Sequence, residues 1–270
     1  MIVDGKKLAA DIYEELRARR AQIPHPIRFG VLVGTKDPVI EQFVRVKSRA
    51  AQRLDIEIVR KDITDDMSTG EALIMLRELA FATDATIVQL PLAPHLDAEM
   101  ILGSIPPERD ADAINPKVDQ WHHLVNAPVA LAVGEILHRN NIMVSGARAV
   151  VLGAGRLVGI PTAAYLQSLG AQVTTVTKES GSLDMLREAD IIVLGAGSPG
   201  LVTPDMIKEG CALVDAGTSE QGGSIKGDAS PECGLKASLF TPVPGGVGPV
   251  AVAMLLKNVL DLAERNNTQQ

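Results

Sequence analysis

The sequence predicts an α/β protein with two α/β domains, the second of which is a Rossmann-type dinucleotide-binding domain. Short apolar runs alternate with amphipathic segments of helix length, which is the pattern of parallel sheets with crossover helices. A glycine-rich segment follows one of the apolar runs directly and begins at Gly153. With 270 residues, the chain is long enough for two domains that each bury a core.

The first half is predicted to contain an N-terminal helix and three strands with helices between them. Asp4–Ala21 is predicted to be helical because apolar Leu8, Ile12 and Leu16 recur at four-residue intervals. The predicted strands are Arg28–Val33, Ile56–Arg60 and Ala85–Leu90, and the helices between them are Ile40–Leu54 and Thr69–Phe81. The stretch Pro91–Pro116 is too irregular for a single element, so we expect loops that carry part of a site.

The second half begins with a predicted helix at Val129–Asn140 and continues with strands spaced as in a nucleotide-binding unit. These strands are Ala149–Leu152, Gln172–Thr177, Asp190–Leu194 and Ala212–Asp215. The loop Thr241–Pro249 leads into a last predicted helix, Val250–Arg265, and Asn266–Gln270 is predicted to be a frayed tail.

The composition argues against several classes of protein. The chain carries 26 Lys and Arg against 33 Asp and Glu, so it lacks the basic surplus of a nucleic-acid-binding protein. No apolar run reaches the roughly 18–20 residues of a membrane span, and the first residues do not resemble a signal peptide. Cys211 and Cys233 are the only cysteines, and the five histidines show no metal-binding spacing. We therefore expect a cytoplasmic protein without a metal, a nucleic-acid partner or a membrane partner.

The glycine-rich segment Gly153–Gly159 is the main candidate for a dinucleotide-binding loop. A predicted strand runs into it and a helix follows, so backbone N–H groups and the helix dipole favour an anion such as a pyrophosphate. The pattern is G-x-G-x-x-x-G, and a tight turn without a ligand is the alternative interpretation. The candidate cofactor-binding residues are Gly153, Gly155, Arg156, Leu157, Val158 and Gly159.

The residues after the strand Gln172–Thr177 leave the choice of cofactor open. The end of this strand is expected beside the adenosine ribose, where NAD sites often carry an acidic side chain and NADP sites carry basic and hydroxyl groups. Lys178 and Ser180, together with Arg156, are candidates for holding a 2′-phosphate, whereas Glu179 would repel it. The alternative is that Arg156, Lys178 and Glu179 are solvated loop residues that contact no cofactor. The balance favours NADP and leaves NAD open.

The first half also contains candidates for a catalytic site. Phe43 and Lys47 are four residues apart on one predicted helix, so they share a face near the carboxyl end of a strand, where open α/β sheets bind ligands. Gln89 stands in an apolar strand and needs a polar partner, which is either structural or a substrate. Asp112 lies in the acidic segment Arg109–Pro116, for which turn formation is the ordinary role.

Several segments match one known family in order and spacing. They are Gly30–Gly34, the helix with Lys47, Asp84–Leu92, Arg109–Asp112, Val150–Pro161, Val214–Gly217, Gly227–Asp228 and Thr241–Pro249. On these segments, the chain resembles the bifunctional methylenetetrahydrofolate dehydrogenase/cyclohydrolase family over nearly its whole length. Val88–Leu92 and Thr241–Pro249 are the most specific of the matches.

The resemblance implies a reaction and a domain organisation. A nicotinamide cofactor takes a hydride from the one-carbon bridge of 5,10-methylenetetrahydrofolate, and water then opens the methenyl product to 10-formyltetrahydrofolate. Residues 1–125 with 240–270 would form an N-terminal folate-binding catalytic domain, and residues 140–238 the NAD(P)-binding domain, with a cleft between them. A homodimer formed mainly through the cofactor domain is also implied.

The resemblance assigns roles to individual residues as well. Lys47 is implied to be the catalytic lysine beside the reacting folate nitrogens, Gln89 its hydrogen-bond partner, and Asp112 the carboxylate that binds the pterin ring. The residues implied to contact substrate are Phe43, Pro244, Gly245 and Gly246, and the cofactor contacts include Gly217.

Some positions depart from the family pattern. Phe43 replaces the usual tyrosine, Ala113 replaces the glycine after the pterin-binding aspartate, and Asn126–Leu131 stands where the family has Pro-Cys-Thr-Pro. Two alternatives stay open. These departures motivate one of them, a catalytically silent folate- or nucleotide-binding homologue. The other is a two-domain dehydrogenase of the shikimate dehydrogenase type, which would not explain the segments Val88–Leu92 and Thr241–Pro249.

Overall fold

The computed structural model describes residues 1–35, 37–177, 179–221 and 224–268, which divide into two compact units. The three-stranded unit comprises residues 12–126 and the chain from Leu255 onward. The five-stranded unit comprises residues 1–11 and 127–254. The domain boundaries expected from the sequence differ in placing residues 1–11 and 240–254 with the first domain, and they stay a prediction.

The three-stranded unit contains a parallel sheet. Its strands are β1 Ile27–Val33, β2 Ile56–Asp62 and β3 Ala85–Gln89, and β1 lies between the other two. The first helices of the chain are α1 Gly5–Arg20, α2 Pro38–Gln52, α3 Thr69–Phe81 and α4 Ala98–Leu102. Every residue of β3 is buried, as expected for a parallel strand that is covered on both faces and therefore reads as a continuous apolar run.

The stretch Pro91–Pro116 is more regular than predicted. It contains α4 and a 3-10 turn at Pro107–Arg109. The Asp97 carboxylate caps α4 by accepting a hydrogen bond from the Met100 N–H at 2.9 Å, and Ile101 is fully buried. A helix of five residues is too short to show a hydrophobic period in the sequence, which is why the prediction of loops alone was wrong here.

The strands of the five-stranded unit are β4 Arg148–Leu152, β5 Gln172–Val176, β6 Ile191–Leu194, β7 Ala212–Asp215 and β10 Leu239–Phe240, and its helices include α5 Pro128–Arg139 and α6 Gly159–Ser168. The sheet order is β10-β7-β6-β4-β5, and all the paired strands are parallel. The sequence did not predict the antiparallel hairpin of β8 Ser219–Gln221 with β9 Ser224–Lys226, nor the two-residue strand β10 Leu239–Phe240.

The last helix, α7, spans Val247–Thr268 and is longer at both ends than predicted. Pro249 lies in its first turn, where the missing N–H needs no partner in the helix. The predicted frayed tail is wrong at Asn266, because its Nδ2 donates hydrogen bonds to the carbonyls of Asp84 at 3.1 Å and Glu108 at 3.3 Å. Neither α7 nor any other helix in the described ranges is both long and apolar enough to cross a membrane.

Candidate functional site

Lys47 and Gln89 form a hydrogen-bonded pair in the three-stranded unit. Lys47 lies in the third turn of α2, and Gln89 is the last residue of β3. The Nζ of Lys47 donates a hydrogen bond to Gln89 Oε1 at 2.6 Å, and Gln89 Nε2 donates one to the Leu90 carbonyl at 2.9 Å. Because Gln89 is buried, both ends of its amide need a partner, and both have one. The structure thus brings together two residues that are 42 positions apart.

Asp112 is electrostatically coupled to this pair. It is half-buried in the loop that follows the turn Pro107–Arg109. Burial lowers the pKa of the Lys47 amine, and the Asp112 carboxylate partly offsets this effect. Burial also raises the pKa of Asp112, and Lys47 partly offsets it. An amine with a lowered pKa beside a carboxyl group with a raised pKa is suited to proton transfer near neutral pH.

The loop that carries Asp112 is held by Asp110, a residue that the sequence analysis did not single out. Asp110 Oδ2 accepts hydrogen bonds from the N–H groups of Ile114 and Asn115, both at 2.8 Å. Asp110 is almost completely buried, and this burial raises its pKa to about 7. The Nδ1 of His123 lies 3.8 Å from Asp110 Oδ2, and burial lowers the pKa of this histidine.

The two substituted positions of this site differ in their surroundings. Phe43 is 38% exposed and lies one turn before Lys47 on α2, as the spacing predicts. Ala113 has a φ of +52°, in the left-handed region that favours glycine. The structure therefore retains at Ala113 the backbone conformation of a glycine position.

Pro244, Gly245 and Gly246 belong to the five-stranded unit, in the loop before α7. Gly245 has a φ of +105°, and its carbonyl accepts a hydrogen bond from the Gly5 N–H at 3.0 Å. A Cβ on Gly5 would lie 1.8 Å from the carbonyl oxygen of Gly246, so the first turn of α1 packs directly on this loop. The predicted contact of these three residues with substrate stays a prediction.

The glycines of the candidate dinucleotide loop play three different roles. Gly153 has a φ of +105° and makes the turn after β4. A Cβ on Gly159 would lie 2.0 Å from the Gly153 carbonyl oxygen, so Gly159 permits close packing of α6 on the turn. A Cβ on Gly155 would meet no atom of the described residues within 4 Å, which leaves open space above its backbone. This division matches the roles of the three glycines in Rossmann loops, although the third is one place late.

The remaining candidates of the loop and the ribose end are near the surface. Leu157 is 41% exposed, Arg156 is half-buried, and Val158 immediately precedes α6. Ser180 is exposed at the end of β5, and its Oγ lies 3.0 Å from Thr177 Oγ1. Lys178 lies outside the described residues.

Gly217 packs on a buried carboxylate that the sequence analysis did not recognise as part of the site. A Cβ on Gly217 would lie 2.4 Å from Asp228 Cγ, and the Gly217 N–H donates a hydrogen bond to Asp215 Oδ1 at 2.9 Å. Asp215 and Asp228 are both buried, and burial raises the pKa of Asp215 to about 6. Gly217 therefore has a structural reason to be glycine in addition to its predicted contact with the cofactor.

Among the described residues, no group of three or more His, Cys, Asp or Glu side chains is arranged to hold a metal ion. The functional groups that the structure brings together at this site are the Lys47 amine, the Gln89 amide and the Asp112 carboxyl group.

The parallel five-stranded sheet and its glycine loop define an NAD(P)-binding unit of Rossmann type, joined in one chain to a second α/β unit. The family model for the tetrahydrofolate dehydrogenase/cyclohydrolase NAD(P)-binding domain matches residues 127–267, and the model for the catalytic domain of the same family matches residues 3–112. The chain belongs to the tetrahydrofolate dehydrogenase/cyclohydrolase family.

Individual relatives agree with this assignment over the full length. The bifunctional protein FolD of Methanospirillum hungatei JF-1 is 36% identical over 97% of this chain and 97% of its own. The bifunctional FolD enzyme of Campylobacter jejuni is 31% identical, with a TM-score of 0.93 over 98% of this chain and 99% of its own. The Trypanosoma brucei FolD enzyme, solved with NADP and an inhibitor, is 32% identical, with a TM-score of 0.90 over 99% of this chain and 98% of its own.

Proposed function

We propose that this protein oxidises 5,10-methylenetetrahydrofolate to 5,10-methenyltetrahydrofolate with a nicotinamide dinucleotide and hydrolyses the product to 10-formyltetrahydrofolate. Membership of the tetrahydrofolate dehydrogenase/cyclohydrolase family supports both steps over a shikimate-type dehydrogenase or a silent homologue. The structural observation that carries the proposal is the cluster of Lys47, Gln89 and Asp112, in which a buried amine is held by an amide and coupled to a carboxyl group.

Lys47 performs the proton transfers of the hydrolytic step. Gln89 fixes the position of its Nζ, and burial lowers the pKa of the amine, which favours the unprotonated form that can accept a proton. The amine takes a proton from the water that attacks the methenyl carbon and returns it to the ring nitrogen as the carbon–nitrogen bond breaks. The second proton of the water is released to solvent when the formyl carbonyl forms. Asp112 accepts hydrogen bonds from the pterin ring, as the resemblance implies.

The glycine loop fits the dinucleotide, whose nicotinamide ring accepts the hydride when it is bound. Open space above Gly155 allows a pyrophosphate to approach the backbone, and the N-terminus of α6 favours its negative charge. The proposed cofactor contacts are the residues of Gly153–Gly159 and Gly217. The part of these residues in catalysis is to hold the dinucleotide in place so that positioning lowers the barrier to hydride transfer.

We propose NADP as the preferred cofactor. The support is Arg156 in the loop and the exposed hydroxyl of Ser180 at the end of β5, with Lys178 between that strand and Ser180 in sequence. Glu179 opposes a 2′-phosphate, so Glu179→Gln should increase the ratio of kcat/KM for NADP to that for NAD. A higher kcat/KM with NAD in the unmodified protein would overturn this preference.

We propose that the protein is a cytoplasmic homodimer that associates mainly through the five-stranded unit. The resemblance supports the dimer, and two free, buried cysteines fit a reducing compartment. Light scattering that shows a monomer across micromolar concentrations would contradict the dimer. Cell fractionation tests the compartment.

The activity assay follows the absorbance of purified protein with 5,10-methylenetetrahydrofolate and either NADP or NAD, and then with the methenyl compound alone. Lys47→Ala should reduce methenyl hydrolysis by about 10²-fold or more and leave cofactor affinity nearly unchanged, because Lys47 and the glycine loop belong to different units. Lys61→Ala, at an exposed position of β2, is the matched control. An equal loss of hydrolysis and of cofactor affinity in Lys47→Ala would contradict the assigned role.

A further inference from the structure

One loop of the five-stranded unit directs three successive backbone N–H groups at a buried carboxylate. The loop follows β6, and the N–H groups of Ala196 and Gly197 donate hydrogen bonds to Asp228 Oδ2 at 2.6 and 3.1 Å. The Ser198 N–H donates one to Asp228 Oδ1 at 2.7 Å. Gly197 has a φ of +65°. Successive N–H groups around a left-handed residue form an anion-binding nest, and here the anion is a side chain of the same protein.

The Asp228 carboxylate is fixed in this nest from its other side. Asp228 is fully buried, and its own N–H donates a hydrogen bond to Asp215 Oδ1 at 3.2 Å. A Cβ on Gly217 would lie within 2.6 Å of both carboxylate oxygens, so only glycine leaves room for the side chain. The loops that follow β6 and β7 are therefore joined through Asp228.

The loop after β6, Gly195–Ser198, which we call the nest loop, also packs on the dinucleotide loop. A Cβ on Gly153 would lie 2.4 Å from the carbonyl oxygen of Gly195, the residue that begins the loop after β6. A Cβ on Gly195 would lie 2.5 Å from Val158 Cγ1. The two loops thus pack with backbone on backbone, because β4 and β6 are neighbours in the sheet. A displacement of the nest loop would therefore also displace the backbone at Gly153.

The sheet order indicates which half of the dinucleotide lies over the nest loop. In a Rossmann unit, the adenosine ribose lies at the end of the strand after the glycine-loop helix, which is β5 here. The pyrophosphate lies at the glycine loop after β4, and β6 lies on the opposite side of β4 from β5. The half of the dinucleotide that remains, the nicotinamide half, is therefore the half on the β6 side.

We propose that Asp228 is a positioning residue for the nicotinamide half of the dinucleotide, acting through the nest loop Gly195–Ser198. This inference rests on the proposed function. The carboxylate takes the place that an anion takes in other nests, fixes the backbone of the nest loop and keeps that loop against the dinucleotide loop. Asp228 itself is not a proposed cofactor contact, and it acts by holding the nest loop.

Asp228→Asn tests the proposal in the full-length protein. An asparagine keeps the size of the side chain but places an NH₂ group among N–H donors, so the nest loop should shift. We expect the affinity for the full dinucleotide to fall about tenfold or more. The affinity for ADP-ribose or its 2′-phosphate, which lack the nicotinamide, should change by less than about threefold. Formate should restore dinucleotide affinity in Asp228→Ala by refilling the nest.

Asp190→Asn is the matched control, because Asp190 accepts a hydrogen bond from the Arg148 N–H at 3.0 Å at the opposite end of β6. It should leave both affinities unchanged. If Asp228→Asn does not fold, Gly197→Ala strains the left-handed residue of the nest and should give the same split between the two ligands. Unchanged affinities, or equal losses for both ligands, would overturn the proposal. Failure of the unmodified protein to bind any nicotinamide dinucleotide would instead overturn the proposed function.

Discussion

Lys47 Nζ lies 2.6 Å from Gln89 Oε1, and this hydrogen bond joins the middle of a helix to the end of a strand. A lysine side chain has many rotamers, and a fixed partner at its end selects one of them. Because this partner is a neutral amide, it fixes the position of the Lys47 Nζ but adds no negative charge that would raise the pKa of the amine. The hydrogen bond is therefore compatible with the lowering of the Lys47 pKa by burial.

Replacing Gln89 by glutamate should separate positioning from pKa. A carboxylate at this point still accepts a hydrogen bond from Lys47, but its charge raises the pKa of the amine. We expect methenyl hydrolysis at neutral pH to fall about tenfold and its pH profile to move toward alkaline pH. Gln52→Glu makes the same chemical change at an exposed position of α2, the helix that carries Lys47, and should have no such effect. A pH profile that does not move in Gln89→Glu would show that Lys47 is not the titrating group.

Phe43→Tyr should favour hydrolysis over dehydrogenation. Phe43 lies one helical turn before Lys47, where a hydroxyl group can hydrogen-bond to the amine, the water or the substrate. General acid–base assistance contributes about 10²–10⁴-fold in all, so one added partner should raise the hydrolysis rate severalfold. Both rates are compared in the same preparation, with Phe81→Tyr as the control because Phe81 is 92% exposed. No change in the ratio of the two rates would mean that the missing hydroxyl does not limit hydrolysis.

The glycine loop gives a prediction in which two similar variants behave differently. Gly155→Ala adds a methyl group in open space, so the melting temperature should not change, but cofactor affinity should fall about tenfold or more. Gly159→Ala forces a methyl group to within 2.0 Å of the Gly153 carbonyl oxygen and should destabilise the fold by about 1–3 kcal/mol. Thermal unfolding and cofactor titration of both variants test this, and a Gly155→Ala variant that binds cofactor normally would contradict the role of Gly155.

Much of the fold could be predicted from the sequence because the sheets are parallel. Strands such as β3 and β6 are buried on both faces, so they appear as short apolar runs between helical segments. The hairpin formed by β8 and β9 escaped prediction because its residues, Ser219–Gln221 and Ser224–Lys226, are mostly polar. The strand β10 has only two residues and cannot show any period.

The candidate site likewise has residues that could be predicted from the sequence and residues that could not. Lys47 and Gln89 could be predicted, because helix spacing marks the first and an amide in an apolar strand marks the second. Asp110 and Asp228 lie in segments that match the family, but their roles could not be predicted, because a carboxylate that accepts backbone N–H groups leaves no periodic pattern. The one local signal is glycine: Gly217 packs on Asp228, and a Cβ on Gly227 would lie 2.2 Å from Asp215 Oδ2. A glycine beside an aspartate after a buried strand is thus a sign of a carboxylate enclosed by loops.

Ala113→Gly should stabilise the protein. A non-glycine residue in the left-handed region costs about 1–2 kcal/mol, and glycine loses about 0.5–1 kcal/mol more backbone entropy on folding. With a φ of +52° at Ala113, the net gain in unfolding free energy should be up to about 1 kcal/mol. Denaturant titration measures it, and Ala80→Gly in α3, where the backbone is helical, should instead lose about 1 kcal/mol. A loss in Ala113→Gly would show that the alanine methyl group contributes more by packing than its backbone strain costs.

Asp110 should make stability fall as the pH rises through neutrality. Burial raises its folded-state pKa to about 7, whereas an aspartate in the unfolded chain has a pKa of about 3.9. Between these values the folded protein binds the proton more tightly, so this contribution to stability is complete below about pH 4 and is lost as the pH rises through about 7. Burial lowers the pKa of His123, which disfavours the charged ring that would compensate an ionised Asp110.

Asp110→Asn isolates this effect, because the amide oxygen still accepts hydrogen bonds from Ile114 and Asn115 but does not ionise. We expect the unfolding free energy of the variant, relative to the unmodified protein, to rise between pH 5 and pH 8 by a few kcal/mol at most, since one pKa unit corresponds to about 1.4 kcal/mol. Urea denaturation at several pH values measures the difference. Asp11→Asn, at an exposed position of α1, should give a nearly constant difference. A constant difference for Asp110→Asn as well would mean that Asp110 is ionised in the folded protein throughout this range, and that its two backbone donors outweigh the cost of its burial.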